Sequence, residues 1–195
     1  MLNVIIFGKP GSGKGTQASM IKDKYGLTHI STGDVFRKNT SEGTKLGNIA
    51  KQYMSKGELV PDEITIAMLE SEILGFVPCN GFILDGFPRT ILQAKSLDNL
   101  LINLNLKIDL VIGLDVPNDK LVKRLLERGK TSGRNDDQSE DKINKRLEEY
   151  DKKTKPLIVF YENQNKFYSI DGVGSLNDVN NRLINVVDSI KNDCR

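Results

Sequence analysis

The chain has one histidine, two cysteines, no block of like charge and no apolar run long enough to cross a bilayer. Each scarcity removes a class of function. Cys79 and Cys194 lie far apart, without a C-x-x-C spacing or histidine neighbours, so neither a disulfide framework nor a metal knuckle is expected and both read as free thiols. A hydrolase triad would have to use His29, which sits in a short apolar stretch with no obvious partner, so a structural or surface role is expected for it. Formal charges nearly cancel at +2, so an anionic partner should be met by placed residues, and nucleic acid is not expected as a main partner. No stretch approaches the ~20 apolar residues of a membrane span, and the opening apolar run is too short for a signal-peptide core. The expectation is a cytoplasmic protein that binds no membrane. No apolar stripe is left over once a core is assigned, so a monomer is expected.

What is present begins with ordinary composition: 195 residues, 38% hydrophobic and 28% charged, enough for one main domain with a substantial core. Short apolar runs at Val4 to Phe7, Phe82 to Leu84, Leu110 to Leu114 and Phe167 to Ile170 alternate with helical patterns. That alternation predicts an α/β fold, a central parallel sheet with helices on both faces, and ligands at the carboxyl edge of the strands. Two segments break the pattern. Ser31 to Pro61 reads as short helices punctuated by Gly33, Gly43, Gly47 and Gly57. Gly129 to Asp137 reads as a polar loop between a helix ending near Arg128 and a long helical stretch from about Glu140 to Gln164.

Gly8 to Thr16, GKPGSGKGT, follows the first apolar run directly. Gly8, Gly13 and Lys14 meet G-x-x-x-x-G-K, with Gly15 where that pattern usually has a hydroxyl residue. The three positions alone are a weak signal. A strand before them, a helix from Lys14 to Tyr25 after them and further residues at Gly11, Gly15 and Thr16 turn the loop into a phosphate cradle, which predicts nucleotide binding. Asp85 ends the run Phe82 to Leu84; it reads either as a turn aspartate or, coupled to the loop, as the acid that holds waters around Mg²⁺. Thr16 is a second candidate for the metal.

Arg37, Arg89, Arg124, Arg128, Arg134 and Arg146 lie in or beside these segments, and a planar guanidinium suits a bidentate grip on phosphate. Arg124 and Arg128 share a helix face by their spacing. Each alone reads as a solvated charge; together they predict a phosphate clamp.

The blocks GKPGSGKGTQ (8–17), STGDVFR (31–37), GELVPD (57–62), LDGFPRTILQA (84–94), DVPNDKLVKRLLERG (115–129), TSGRNDD (131–137) and KRLEEYDKKTKPLI (145–158) resemble the adenylate kinase family of nucleoside monophosphate kinases over essentially the whole chain. The resemblance implies a P-loop three-layer fold with an AMP-binding helical insertion at 31–60, a short lid at 129–138, and reversible transfer from Mg-ATP to AMP giving two ADP. It implies that Gly11 to Thr16 wrap the ATP phosphates, with Lys14 on the transferring group, Arg128 beside ATP and Gly174 near its adenine. AMP would be held by Thr32, Arg37, the Glu58-Leu59-Val60 backbone, Gly86, Phe87, Pro88, Arg89 and Gln93, with Arg134 and Arg146 reaching its phosphate. Leu59 and Gln93 read alternatively as core and surface residues. Lys14, Arg89, Arg124, Arg128, Arg134 and Arg146 would carry catalysis, and Asp136 and Asp137 would help close the lid by pairing with arginines or ordering water.

Thr90 and Gln93 point to AMP over UMP or CMP, since an amide can donate to and accept from an adenine edge at once. The lid lacks the four metal-ligand positions of long-lid relatives, which excludes a structural zinc. One additional residue near 138–142 leaves open whether Lys145 or Arg146 enters the site, with Leu147 to Tyr150 favouring Arg146. Lys9 adds a charge in the loop where small residues are frequent. Two other readings remain: a pyrimidine or guanine monophosphate kinase on the same scaffold, and a non-catalytic adenine-nucleotide-binding module.

Overall fold

The computed structural model describes residues 1–76 and 79–193, apart from the side chains of Asn135, Asn192 and Asp193. Cys194 lies outside these residues; Cys79 is a free thiol. Strands β1 (Val4–Gly8), β2 (Thr28–Ser31), β3 (Phe82–Asp85), β4 (Leu110–Asp115) and β5 (Phe167–Asp171) form one parallel sheet in the order β2-β3-β1-β4-β5. Register aligns Ile6 with both Asp85 and Ile112, and Ser31 with Asp85. The loop leaving Gly8 therefore emerges beside the acid that ends β3.

Two layers of helices cover the sheet because strand side chains alternate. Ile5, Phe7, Leu84 and Val111 face helices α2 (Thr32–Ser41), α3 (Lys45–Met54), α4 (Asp62–Phe76), α5 (Ile91–Asn103) and α8 (Pro156–Glu162). Val4, Ile6, Ile83 and Ile112 face α1 (Lys14–Tyr25) and α9 (Leu176–Asp193). A satellite cluster of Val116, Leu121, Leu125, Ile143 and Leu147 joins α6 (Asn118–Ser132) to α7 (Glu140–Glu149). Among the described residues, no helix is long and apolar enough to cross a membrane.

Tyr161 on α8 is fully buried, its ring 5.9 Å from Phe7 and edge-on to Phe160 at 5.0 Å. Its hydroxyl has no hydrogen-bond partner among the described residues. Burial, with Asp98 nearby, pushes the phenol pKa well up, so the group stays neutral. Removing an unpaired buried hydroxyl relieves a desolvation cost, and Tyr161→Phe should stabilise the protein by about 1 kcal/mol, raising its melting temperature by about 3 °C. A lower melting temperature would show that the hydroxyl is satisfied.

The fold corrects four sequence expectations. β2 was not among the predicted strands: it is a four-residue edge strand in which only Ile30 is buried, so it carries no apolar run. The loop expected from Gly129 is helical to Ser132, and α6 ends only at Gly133, whose φ of 64° suits glycine. Gly129 stays inside because a Cβ there would stand 2.5 Å from the Asp137 carbonyl oxygen, so its absence lets the next turn fold back onto α6. The long helix expected to Gln164 is interrupted by a π-helical segment at Tyr150–Thr154. Pro156 cannot donate and its ring would crowd the carbonyl four residues back; the turn widens, and Lys155 N–H reaches the Tyr150 carbonyl at 2.8 Å. Gly33 and Gly47 sit inside α2 and α3 rather than between helices, Gly47 where α3 crosses the backbone of Asn39.

Candidate active site

The sheet edge opens into a cleft of two chambers. Gly11, Gly13, Lys14, Gly15 and Thr16 line one chamber together with Asp85, Arg128 and Arg134. Thr32, Glu58, Leu59, Val60, Pro88 and Gln93 line the other. Lys14, Arg37, Gly86, Arg89 and Arg146 border both. Two spaces for anionic ligands thus meet at a shared wall of one lysine and three arginines.

The loop chamber follows from local backbone. Gly13 takes a φ of 92° to start α1, and the free N–H groups of that helix's first turn face the cleft. Lys14 is the first residue of α1, and its pKa is lowered to about 8. Loss of solvent is the main cause; Asp85 opposes it, while Arg89, Arg146 and Arg128 add to it. The same burial, reinforced by Arg146 and opposed by Asp85, lowers the Arg89 pKa to about 10. The cleft therefore stores mutually repelling cations that only an anion relieves.

Asp85 is buried, and a Cβ on Gly15 would stand 3.2 Å from its Oδ2, so the missing hydroxyl side chain gives the carboxylate room beside the loop. His29 Nε2 is 3.9 Å from the same oxygen and has no hydrogen-bond partner among the described residues. Asp85 is thus the acidic neighbour of His29, without a hydrogen bond between them. The Asp85 carboxylate and Thr16 hydroxyl supply hard oxygen donors, the chemistry that suits Mg²⁺.

Asp137 organises the far wall. Its fully buried carboxylate accepts from Arg128 Nε at 2.7 Å and Nη2 at 3.0 Å, and from Arg146 Nη1 at 2.5 Å. Asp136 stands 3.1 Å from the same Arg146 nitrogen. Burial would raise the Asp137 pKa, but the Arg128 hydrogen bond and the charges of Arg146 and Arg128 hold it below the usual carboxylate range. Arg146 is the residue that enters the cleft, while Lys145 turns away to Glu58 at 2.8 Å, linking α7 to the segment after α3. Lys9 points out of the loop to Asp151 at 2.8 Å and Asn118 at 3.0 Å.

In the second chamber, Thr32 donates to the Gly86 carbonyl at 2.9 Å, and Arg89 Nε donates to the same oxygen at 2.7 Å. Arg37 pairs with Asp34 one turn away. Gln93 is buried, so it is not the surface residue of the alternative reading.

Four expected site residues stand apart from the chamber walls. Ser12 is buried beneath the loop against Gly8. Phe87 is packed in the core because β3 ends with its chain turning inward. Arg124 is half-buried on α6 but lines neither chamber. Gly174 sits at a φ of 136° in the β5–α9 loop, against Asp178 and Arg182. Sequence reasoning also missed cleft residues: Tyr150 and Thr154 line the second chamber, and the Thr154 hydroxyl donates to the Arg89 carbonyl at 3.1 Å. The signal was Pro156, which marks the widened turn that carries both.

A parallel sheet in this order, a glycine loop opening α1 and a cation-lined double cleft define the class: a P-loop phosphotransferase. A family model described as adenylate kinase matches residues 6–166. The chain is 50% identical to the adenylate kinase of Flavobacterium psychrophilum and 51% to that of Flavobacterium johnsoniae, each over 97% of this chain and 100% of the relative. Identity to the adenylate kinase of Bacteroides thetaiotaomicron is 46% over the same shares. The chain belongs to the adenylate kinase family.

Proposed function

We propose that this chain catalyses reversible transfer of the terminal phosphoryl group of Mg-ATP to AMP, giving two ADP. The observation that carries the reading is the shared wall: two chambers meet at Lys14, Arg37, Arg89 and Arg146. Phosphoryl transfer needs alignment and neutralisation of charge on the moving group more than covalent chemistry, and a cationic wall between two ligands supplies both. ATP lies along Gly11 to Thr16 with Lys14 on its terminal phosphates. AMP lies against Thr32, Leu59, Val60, Gly86, Pro88 and Gln93, its phosphate between Arg37 and Arg89. Arg128, Arg134 and Arg146 close over the group in flight. Arg124 and Gly174 act from outside the chamber walls, Ser12 through the loop backbone, and Phe87 by packing.

Adenylate kinases use Mg-ATP. Asp85 and Thr16 are the residues that would hold Mg²⁺, Asp85 through water, and the ion would supply positive charge to the phosphate oxygens. Residues 31–60 form the AMP-binding insertion and 129–138 the short lid, whose closure excludes water that would otherwise take the phosphoryl group. The enzyme is a cytoplasmic monomer that binds neither nucleic acid nor membrane; its balanced charge bears on the first of these partners, offering no diffuse cationic field to a polyanion.

The test is incubation with Mg-ATP and, separately, AMP, UMP, CMP, GMP or water, with every nucleotide quantified. AMP alone should yield two ADP per ATP consumed; preference for another monophosphate overturns the base assignment, and binding without turnover overturns catalysis. A pH profile tests Lys14. With its pKa near 8 in the free protein, kcat/KM for ATP should fall as pH rises above about 8. Saturating kcat should hold to higher pH, because the bound phosphates favour the charged amine. A kcat/KM that stays flat between pH 8 and 9.5 would mean that the Lys14 amine keeps its proton in the free protein over that range.

A further inference from the structure

The Gln93 carboxamide is only 1% exposed and has two protein partners of opposite kind. Its Nε2 donates to Asp62 Oδ1 at 2.7 Å, and its Oε1 accepts from the Arg89 backbone N–H at 2.7 Å. An ionised carboxylate only accepts and a backbone N–H only donates, so neither bond survives a flip of the amide. Asp62 is itself held. Thr90 caps α5 by accepting from Gln93 N–H at 3.2 Å, which directs its own hydroxyl proton to Asp62 Oδ2 at 2.7 Å. Asp62 stands in the first turn of α4, two residues after the Glu58 to Val60 segment that lines the AMP chamber.

This leaves one N–H and one oxygen lone pair of Gln93 for a ligand, in fixed positions. Adenine offers a donor at its 6-amino group and an acceptor at N1. A 6-oxopurine reverses both, with an acceptor at position 6 and a donor at N1. One orientation of a carboxamide therefore matches adenine, and the flipped orientation matches a 6-oxopurine placed in the same way. An unrestrained amide would serve either base.

We propose that Asp62 is a specificity-determining positioning residue: accepting from Gln93 and Thr90, it locks the Gln93 amide in the orientation that takes a 6-aminopurine and refuses a 6-oxopurine. The proposal rests on the assignment of Gln93 to the AMP base. Asp62 touches no substrate in it and acts only through Gln93. The loss of one orienting hydrogen bond corresponds to roughly tenfold in discrimination.

The experiment compares kcat/KM for AMP and for inosine monophosphate in the wild type, Asp62→Ala, Asp62→Asn and Gln93→Ala, with KM for ATP and thermal melting of each. Asp62→Ala should lower the AMP-to-inosine monophosphate ratio about tenfold with KM for ATP unchanged. The isosteric Asp62→Asn can turn its NH₂ towards Gln93, so the ratio should fall in the same direction by a smaller factor; it carries the test if the alanine variant melts early. Equal losses for both monophosphates in the Asp62 variants, with the ratio intact, overturn the proposal as a packing effect. If Gln93→Ala abolishes discrimination while the Asp62 variants keep it, Asp62 alone is misassigned. If Gln93→Ala keeps full preference for AMP, the base assignment fails and takes the proposal with it.

Discussion

Arg89→Ala should lower kcat by about a thousandfold while leaving the melting temperature unchanged or higher. The two halves share one cause. Arg89 borders both chambers, so its guanidinium faces the phosphate of AMP and the group arriving from ATP. In the free protein the same cation is half-buried, beside Arg146, and its pKa is lowered to about 10, so keeping it charged at neutral pH works against the fold. Its backbone bonds to Gln93 and Thr154 persist in the alanine variant. Among the described residues, the Nε bond to Gly86 is the one hydrogen bond lost with the side chain. Arg89→Lys should recover little, because a point charge cannot fork between two phosphate oxygens. The measurement is a coupled assay of ADP formation with a thermal melt on the same preparations. Turnover within a few-fold of wild type would remove Arg89 from the site, and a steep fall in melting temperature would make its role structural.

Asp137→Ala should have the opposite profile, destabilising the protein by about 3 kcal/mol, which in a chain of this size lowers the melting temperature by about 8 °C. The carboxylate is fully buried and pairs with both Arg128 and Arg146. Its removal takes the carboxylate from Arg128 and leaves Arg146 with Asp136 alone, beside Lys14, Arg89 and Arg134, and uncompensated partly buried charge is among the larger penalties a single substitution can produce. Turnover should also fall, since Arg128 and Arg146 lose the anchor that aims them into the cleft. ATP or another phosphate ligand should restore part of the lost melting temperature, because it supplies the missing anion to the folded state only.

Acid provides an independent check. The Asp137 pKa lies below the unfolded value of about 4, so its stabilisation is present above that pH and is lost as pH falls through the native value. Asp137→Asn should therefore flatten the acid limb of the stability profile. An unchanged acid limb, or a melting temperature within 1 °C of wild type, would mean that the arginines are held by other contacts.

Much of the scaffold was legible before any coordinates. All four predicted strands are present: β1, β3 and β4 are buried on both faces and so read as plain apolar runs, while β5, an edge strand with only Ile170 buried, was legible from Phe167 and Tyr168 beside it. The helix predicted from Lys14 to Tyr25 has those bounds, with glycines in the left-handed region at both ends. β2 was illegible because its one buried residue, Ile30, stands between His29 and Ser31 with no aromatic or second aliphatic residue in the strand, and the extent of α6 was illegible because Gly129 acts by where it packs. The site divides in the same way. The glycine loop and Asp85 sit at strand ends, so their convergence follows from parallel topology. That Gln93 donates to Asp62, and that Arg128 and Arg146 are the arginines Asp137 takes, depends on other elements and could not be read from spacing.

The sequence by itself determined the parallel α/β scaffold, the phosphate loop and the supply of arginines near it, because strand burial, glycine conformations and short blocks are local properties written in consecutive residues. Only the tertiary structure decided which cations share a wall, that Arg146 and not Lys145 enters the cleft, that Arg124 stands outside it, and which way the Gln93 amide faces. Those outcomes depend on side chains distant in sequence competing for the same few acceptors in a space from which water is largely excluded.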